Sequence, residues 1–309
     1  MKPWLHLARI SNLPTVWTNV TAAWLLAGGV LADPRLYWLI LAGSLLYTGG
    51  MILNDAADVK FDREHRKERP IPSGQVSIKA AWSVGMAMMV LGSALAIFFE
   101  ASVWITLALV ASIMFYDLYH KPWAGSVVVM GACRTLLYLT AASAVEKVVI
   151  TKHNVALFFF GAELCFETDW LPLSFWLVLP YALALGCYVV GITIGARLER
   201  KHGSLSMMRS LLTFGILYVP GLLFLTVFFR SVGGLGQVVV VLTFTILVGV
   251  GCQTLRQGGA AVGRAVGLLL AGIAVVDALA VSTVSVPLAL CFVALAPLLR
   301  LWQRWVAAT

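Results

Sequence analysis

Ten stretches of this 309-residue chain run for sixteen to twenty-one residues with two charges at most. They fall near 13–32, 36–53, 80–98, 101–116, 124–144, 176–195, 210–229, 236–254, 264–282 and 286–301. A helix needs about 20 mostly apolar residues to cross the hydrocarbon core of a bilayer. Backbone groups in lipid must find their partners within the segment, so each stretch is expected to be a helix. Composition agrees, because 61% of the residues are hydrophobic, against about 45–50% in soluble domains. The expectation is an all-α, polytopic membrane bundle of nine to ten transmembrane helices. No soluble domain is left over, so residues 1–309 read as one transmembrane unit. The fourth stretch is short, and the last two read equally as a hairpin or as one long helix. The first follows Lys2 and Arg9 in the manner of a signal peptide, but Leu13–Ala32 is longer than a typical signal core and reads as a retained span.

Lysine and arginine set the orientation, because cytoplasmic loops collect them. With the N-terminus inside, seventeen fall on inside segments or at their span edges and four (Arg35, Lys147, Lys152 and Arg230) outside, with Arg134 remaining, inside the fifth span. The net charge of +8 is thereby explained by topology, and no nucleic-acid partner is expected. The five cysteines form no CxxC pair and the five histidines no i, i+4 pair, which argues against a disulfide framework or a zinc site. Gly263, Gly267 and Ala271 recur every four residues and suit a helix-packing face, or are ordinary membrane-helix small residues. Residues 145–175, with an aromatic patch beside Glu163, Glu167 and Asp169, suit a short amphipathic helix in the outer interface.

The charges concentrate where the second stretch ends. Ten lie between Asp55 and Arg69, although only 12% of the chain is charged. Asn54, Asp58 and Asp62 are spaced i, i+4, i+8. At about 100° per residue each step drifts about 40°, so the three share one helix face, with Asp55 on a neighbouring face. Such a row of oxygens is a poor lipid surface and a good site for a hard cation, and Mg2+ is commonly held by carboxylates together with substrate phosphates. Arg63, Arg66, Lys67 and Arg69 follow at once, and arginine grips phosphate oxygens bidentately. A solvated loop of mixed charge is the plain alternative; the regular spacing directly after an apolar run favours a site for a metal–diphosphate complex.

The segment from Asn54 to Asp62, followed by Arg69, Pro70, Ile71, Pro72, Ser73 and Gly74, closely resembles the first aspartate-rich motif of the UbiA-type intramembrane prenyltransferases. That resemblance implies a helical bundle around a central cavity open to lipid. It implies Mg2+-dependent transfer of an isoprenyl group from a polyprenyl diphosphate to an aromatic or other small-molecule acceptor. It places Asn54, Asp58 and Asp62 at the metal, with Asp58, Asp62 and Lys121 as catalytic residues. Diphosphate contacts would come from Arg66, Arg69, Lys121, Arg134 and Arg197, and Asn19, Tyr116 and Tyr188 would line the substrate cavity. Asp55 is a candidate general base by position only.

The second aspartate-rich motif departs from the pattern. Residues 188–203 contain no aspartate, and Glu199, flanked by Arg197, Arg200 and Lys201, is the only acid left for a second metal position. Arginine is able to replace a metal as counter-charge for the leaving group. The shortened loop from Asp62 to Arg69 and the segment "ARLE" are similar to the EboC-like bacterial branch, which implies secondary metabolism and a cell-membrane location. Loss of the second motif leaves a non-catalytic carrier of a prenylated or lipid-phosphate cargo as the rival reading. An ion-coupled transporter would need ionisable groups near the midplane, and only Arg134 and Asp277 qualify. Asp277 is open to pairing with Arg134, facing the cavity, or a structural hydrogen bond. Prenyl length, acceptor and oligomeric state are not encoded in residue lists.

Overall fold

The computed structural model describes residues 2–119, 123, 125–145, 155–159, 162–166, 173–198, 207–228 and 234–303. Helix α1 (Lys2–Leu7) and one 3-10 turn lead into α2 (Leu13–Leu26). Then come α3 (Pro34–Ala57), the short α4 (Val59–His65), α5 (Ile78–Phe98), α6 (Val103–Tyr119) and α7 (Ser126–Ser143). After strands β1 (Val155–Phe159) and β2 (Ala162–Phe166), the chain forms α8 (Leu173–Leu198), α9 (Met207–Phe228), α10 (Leu235–Arg256), α11 (Ala260–Ala271), α12 (Ile273–Val281) and α13 (Val286–Trp302). Each expected apolar stretch carries helix, and the ninth is divided at Gly272 into α11 and α12. Among the described residues, six stretches are long and apolar enough to cross a membrane: α3, α5, α7, most of α8, α10, and α11 with α12.

Residues 155–166 correct the expected interfacial helix, because β1 and β2 pair antiparallel with Val155 opposite Phe166 and Phe159 opposite Ala162. Val155 and the aromatic residues Phe158, Phe159 and Phe166 favour the pleated form over a helix.

Helix starts follow local chemistry. Asp33 caps α3 by accepting from the Arg35 amide (2.9 Å), with Pro34 at the first turn. Ser77 caps α5 by accepting from the Ala80 amide (3.1 Å). Proline is tolerated at a first turn because its missing N–H has no intrahelical use there. At the end of the bundle where α3 begins, Arg35 also binds Glu100 (2.8 Å) and so ties α3 to the α5–α6 connection.

The burial pattern identifies the solvent. Phe98 is 78% exposed and Trp104 81%, although Trp24, Tyr138 and Phe244 are fully enclosed. Large apolar side chains facing outward on long apolar helices match lipid rather than water. The protein is an integral membrane protein. Within it α2 is central, packed on α3, α7 and α12. Gly267 and Ala271 do form a packing face: Gly267 abuts the Arg300 side chain of α13, and Ala271 clusters with Leu299.

A close seam joins α3 to α5. A Cβ on Gly49 would stand 3.0 Å from the Gly85 carbonyl oxygen, one on Gly85 would stand 2.7 Å from Leu53, and one on Gly92 would stand 2.9 Å from the Ala42 carbonyl oxygen. Small residues let membrane helices approach backbone to backbone, where dispersion rather than the hydrophobic effect holds them. Replacing Gly92 with valine should therefore destabilise the bundle by about 1–3 kcal/mol. The expected readout is a lower melting temperature for Gly92→Val in detergent, with Gly215→Ala, whose added Cβ would meet nothing within 4 Å, as the comparison.

Candidate functional site: an arginine-bridged acidic mouth

The acidic stretch is built by a helix that nearly continues. Asp58 ends α3 with helical backbone angles. Its amide still donates to the Asn54 carbonyl (3.0 Å), and the Asp62 amide donates to the Asp58 carbonyl (3.0 Å). Beyond Arg66 the chain folds back through Pro70 and Pro72. Ser73 donates to the Arg69 carbonyl (3.0 Å) and Gly74 to the Ile71 carbonyl (3.1 Å). Gly74 takes φ +78°, a conformation that favours glycine. Ile71 and Val76 are buried against Leu7 and Ile52, which anchors the turn.

That turn brings Arg69 over the acids. Its guanidinium donates to Asp55 (3.1 Å) and Asp62 (2.9 Å). Arg9, reaching in from before α2, donates to the same Asp55 oxygen (3.2 Å). Burial opposes the Arg9 charge, but Asp55, Tyr47 and Tyr116 outweigh it and hold the guanidinium above its ordinary range. Asn54 turns instead toward α6, where its amide donates to Asp117 (3.1 Å). The shared face of Asn54, Asp58 and Asp62 thus does not draw those three side chains to one point. Asp55 and Asp62 meet through Arg69, Asn54 meets Asp117, and Asp58 is half-buried between the two groups in sequence.

Below this mouth lies a cavity of about 230 Å³. Arg9, Tyr116 and Asp117 line its polar end, and Leu109, Ile113 and Leu137 are among the apolar residues that line the rest. A second hollow, of about 400 Å³ and lined by Lys2, His6, Glu68 and Arg69, lies on the other side of Arg9 and Asp55. The Arg9–Asp55 pair therefore stands between a charged vestibule and a mainly apolar chamber.

Tyr116, expected on the cavity wall, and Arg134, placed by the resemblance at the diphosphate, both line the chamber. Tyr188 does not. It is fully buried, and its hydroxyl donates to the Leu269 carbonyl (2.9 Å), tying α8 to the end of α11. Asn19 is also fully buried, behind the wall rather than on it. Arg197, near the end of α8, donates to the Ser126 hydroxyl at the start of α7. Arg66 is half-buried at the end of α4. Lys121 and Glu199 lie outside the described residues.

Arg134 stands apart from the other bases. It donates to Asn19 (2.7 Å) and Thr15 (3.2 Å), one to two turns into the bundle from Asn12. Asn19 in turn donates to Asp277 (2.8 Å). Asp277 is completely buried, so it neither pairs directly with Arg134 nor faces the chamber. The amide of Asn19 relays between them.

The sequence reading missed two members of the mouth. Asp117 was hidden as a lone acid at the end of an apolar helix, although a carboxylate directly after Tyr116 was visible. Arg9 was counted only among the inside charges. Among the described residues no three metal-binding side chains gather around one point. The donor chemistry nevertheless suits a hard cation. Asp62 Oδ1 and Asp117 Oδ2 are buried without a hydrogen-bond partner, and hard divalent cations take carboxylate and amide oxygens.

An intramembrane helical bundle with an acidic, arginine-bridged mouth over an apolar chamber is the class defined by this geometry. Residues 15–261 match the UbiA prenyltransferase family, and the chain belongs to that family. A digeranylgeranylglyceryl phosphate synthase from Methanoculleus marisnigri is 33% identical over 92 residues, 30% of this chain and 33% of that protein. A 4-hydroxybenzoate octaprenyltransferase from Pseudomonas aeruginosa is 28% identical over 120 residues, 38% of this chain and 40% of that protein. The matched segments thus span well under half the length of these relatives. An apo UbiA homologue from Aeropyrum pernix K1 superimposes with a TM-score of 0.66 at 17% identity, over 89% of this chain and 97% of that one. A UbiA homologue from Archaeoglobus fulgidus, bound to GPP and Mg2+, superimposes with a TM-score of 0.59 at 13% identity, over 96% of this chain and 99% of that one. These likenesses show the fold.

Breaking one partner out of a buried ion pair costs about 3–5 kcal/mol, because the remaining charge is stranded. Arg69→Met should strand Asp62, whose side chain is 1% exposed. The variant is expected to melt at lower temperature than the parent, and added Mg2+ is expected to recover more of that loss than it adds to the parent. A thermal melt across a Mg2+ series reads both effects.

Proposed function

We propose that this protein transfers an isoprenyl group from a polyprenyl diphosphate to a small-molecule acceptor inside the membrane. The observation that carries this reading is the junction of the two compartments: Asp55, Asp62, Arg9 and Arg69 meet at the entrance of an apolar chamber. A polyprenyl diphosphate has the same division into a charged head and an apolar tail. Two Archaeoglobus fulgidus homologue structures, one bound to GPP and Mg2+ and one to DMAPP and Mg2+, support this reading.

Asn54, Asp55, Asp58, Asp62 and Asp117 are the residues that would hold Mg2+, which when bound supplies positive charge to the leaving diphosphate. The guanidinium N–H groups of Arg9 and Arg69 lie at the same place and offer phosphate oxygens bidentate contacts. Arg66 and Arg197 are further bases at this end, and the roles of Lys121 at the diphosphate and Glu199 at a second cation remain proposals from resemblance. The apolar chamber below takes the tail and keeps water from the allylic carbon while its bond to the diphosphate oxygen breaks and a bond to the acceptor forms. We place the mouth and the N-terminus on the cytoplasmic side of a bacterial cell membrane, from the charge bias of the loops, and treat residues 1–309 as one domain.

Purified protein in nanodiscs, supplied with labelled geranyl diphosphate, Mg2+ and lipid extracts, tests the reading. Mg2+-dependent release of diphosphate with a new prenylated product supports it. Tight binding without turnover over any acceptor fits a carrier and overturns it. Asp58→Asn and Asp62→Asn should each lower turnover by about 100-fold or more, the scale set by loss of one preorganised charge-stabilising group. Circular dichroism of both variants should show the helical content retained.

A further inference from the structure

Arg134 has no carboxylate within ion-pairing distance among the described residues, although it sits in the middle of a membrane helix and on the wall of the chamber. A buried charge persists when it is paired or faces something that compensates it. Two of its five N–H donors are used, one on the Asn19 side-chain carbonyl and one on the Thr15 hydroxyl. Its remaining face lies over the Tyr47 ring, 5.4 Å from the centroid. Tyr47 also lines the chamber.

The support behind the guanidinium is directional. Asn19 accepts from Arg134 and donates to Asp277, and the reversed amide would set donor against donor. Asp277 and Asn19 are both fully buried. The negative group is therefore sealed behind the wall, and the positive group is presented in front. Such a second layer fixes the pose of a binding group. Arg134 lies eight residues into α7, about 12 Å of helix from Ser126. It is separated from Arg9 and Arg69, which already meet the acids of the mouth.

We propose that Arg134 is the specificity-determining residue for the acceptor and that it binds an anionic group, a carboxylate or a phosphate monoester, on the molecule to be prenylated. This rests on the prenyl-transfer reading for its second substrate, and the binding itself is measurable without turnover. An aliphatic tail gains nothing from a guanidinium in its path, whereas a small anion beside an aromatic ring gains a charge-assisted hydrogen bond and a stacking surface. A site built to bond a polar group also rejects the analogue that lacks it.

The test is calorimetric titration of the full chain in nanodiscs with 4-hydroxybenzoate against 4-hydroxybenzyl alcohol, and glycerol 1-phosphate against glycerol. Geranyl diphosphate with Mg2+ is titrated separately. Wild-type protein should bind at least one of the two anions about tenfold or more tightly than its neutral partner, and which one distinguishes a carboxylate from a phosphate source. Arg134→Gln should lose that discrimination and keep its geranyl diphosphate affinity within about twofold. Absence of anion preference in the wild type overturns the proposal and needs no variant. Discrimination that survives Arg134→Gln also overturns it, as does a selective loss of geranyl diphosphate affinity in that variant. If geranyl diphosphate fails to bind while the Arg134-dependent anion preference holds, the prenyl-transfer reading falls and the anion site stands.

Discussion

One guanidinium holds the mouth of this protein together. Arg69 bridges Asp55 and Asp62, which belong to successive helices, and it reaches them only because the Pro70–Gly74 turn reverses the chain. Without a cation between them, two buried carboxylates at the edge of a low-dielectric interior repel each other and lose hydration. The bridge turns that repulsion into a cross-link between the end of α3, α4 and the loop beyond. Arg9 extends it to the segment before α2. The acidic row is thereby compatible with folding, and its charge balance is of a kind that an incoming phosphate and cation are able to exchange.

The chamber shows the opposite economy. Its walls are chiefly aliphatic, and its polar groups are few and each backed by a partner. Asp117 rests against Asn54, and Arg134 rests against Asn19 with Asp277 behind it. Polar groups spaced along an otherwise greasy wall divide the space into zones, a charged entrance at Arg9 and Asp117 and a second cationic point at Arg134. A ligand with both a charged head and a long tail is oriented by such a wall before any chemistry occurs.

The helices were legible because lipid leaves the backbone little choice, and long uncharged runs report it directly. The acidic motif was legible as a place but not as an arrangement. Helical spacing put Asn54, Asp58 and Asp62 on one face, yet which acids meet is decided by the return of Arg69 and by the neighbour α6, both of them tertiary facts. Asp117 carried no spacing signal, being one acid at the end of an apolar run. Tyr188 sat in a suggestive segment, but its hydroxyl was needed to satisfy the Leu269 carbonyl near the break between α11 and α12. Val155–Phe166 misled because aromatic residues beside acids suit an interfacial helix and a hairpin almost equally by composition.

The glycine seam between α3 and α5 has a consequence for which wall is free to yield. Gly49, Gly85 and Gly92 leave no slack between those two helices, while the other side of α3 presents Gly43 and Gly50 to the chamber. That side is held from behind, and beside the two glycines only Leu46, Tyr47 and Met51 of α3 reach the chamber. The backbone of α3 is thereby a straight edge, and room for a bulkier guest comes from the side chains that line the chamber rather than from a shift of α3 against α5.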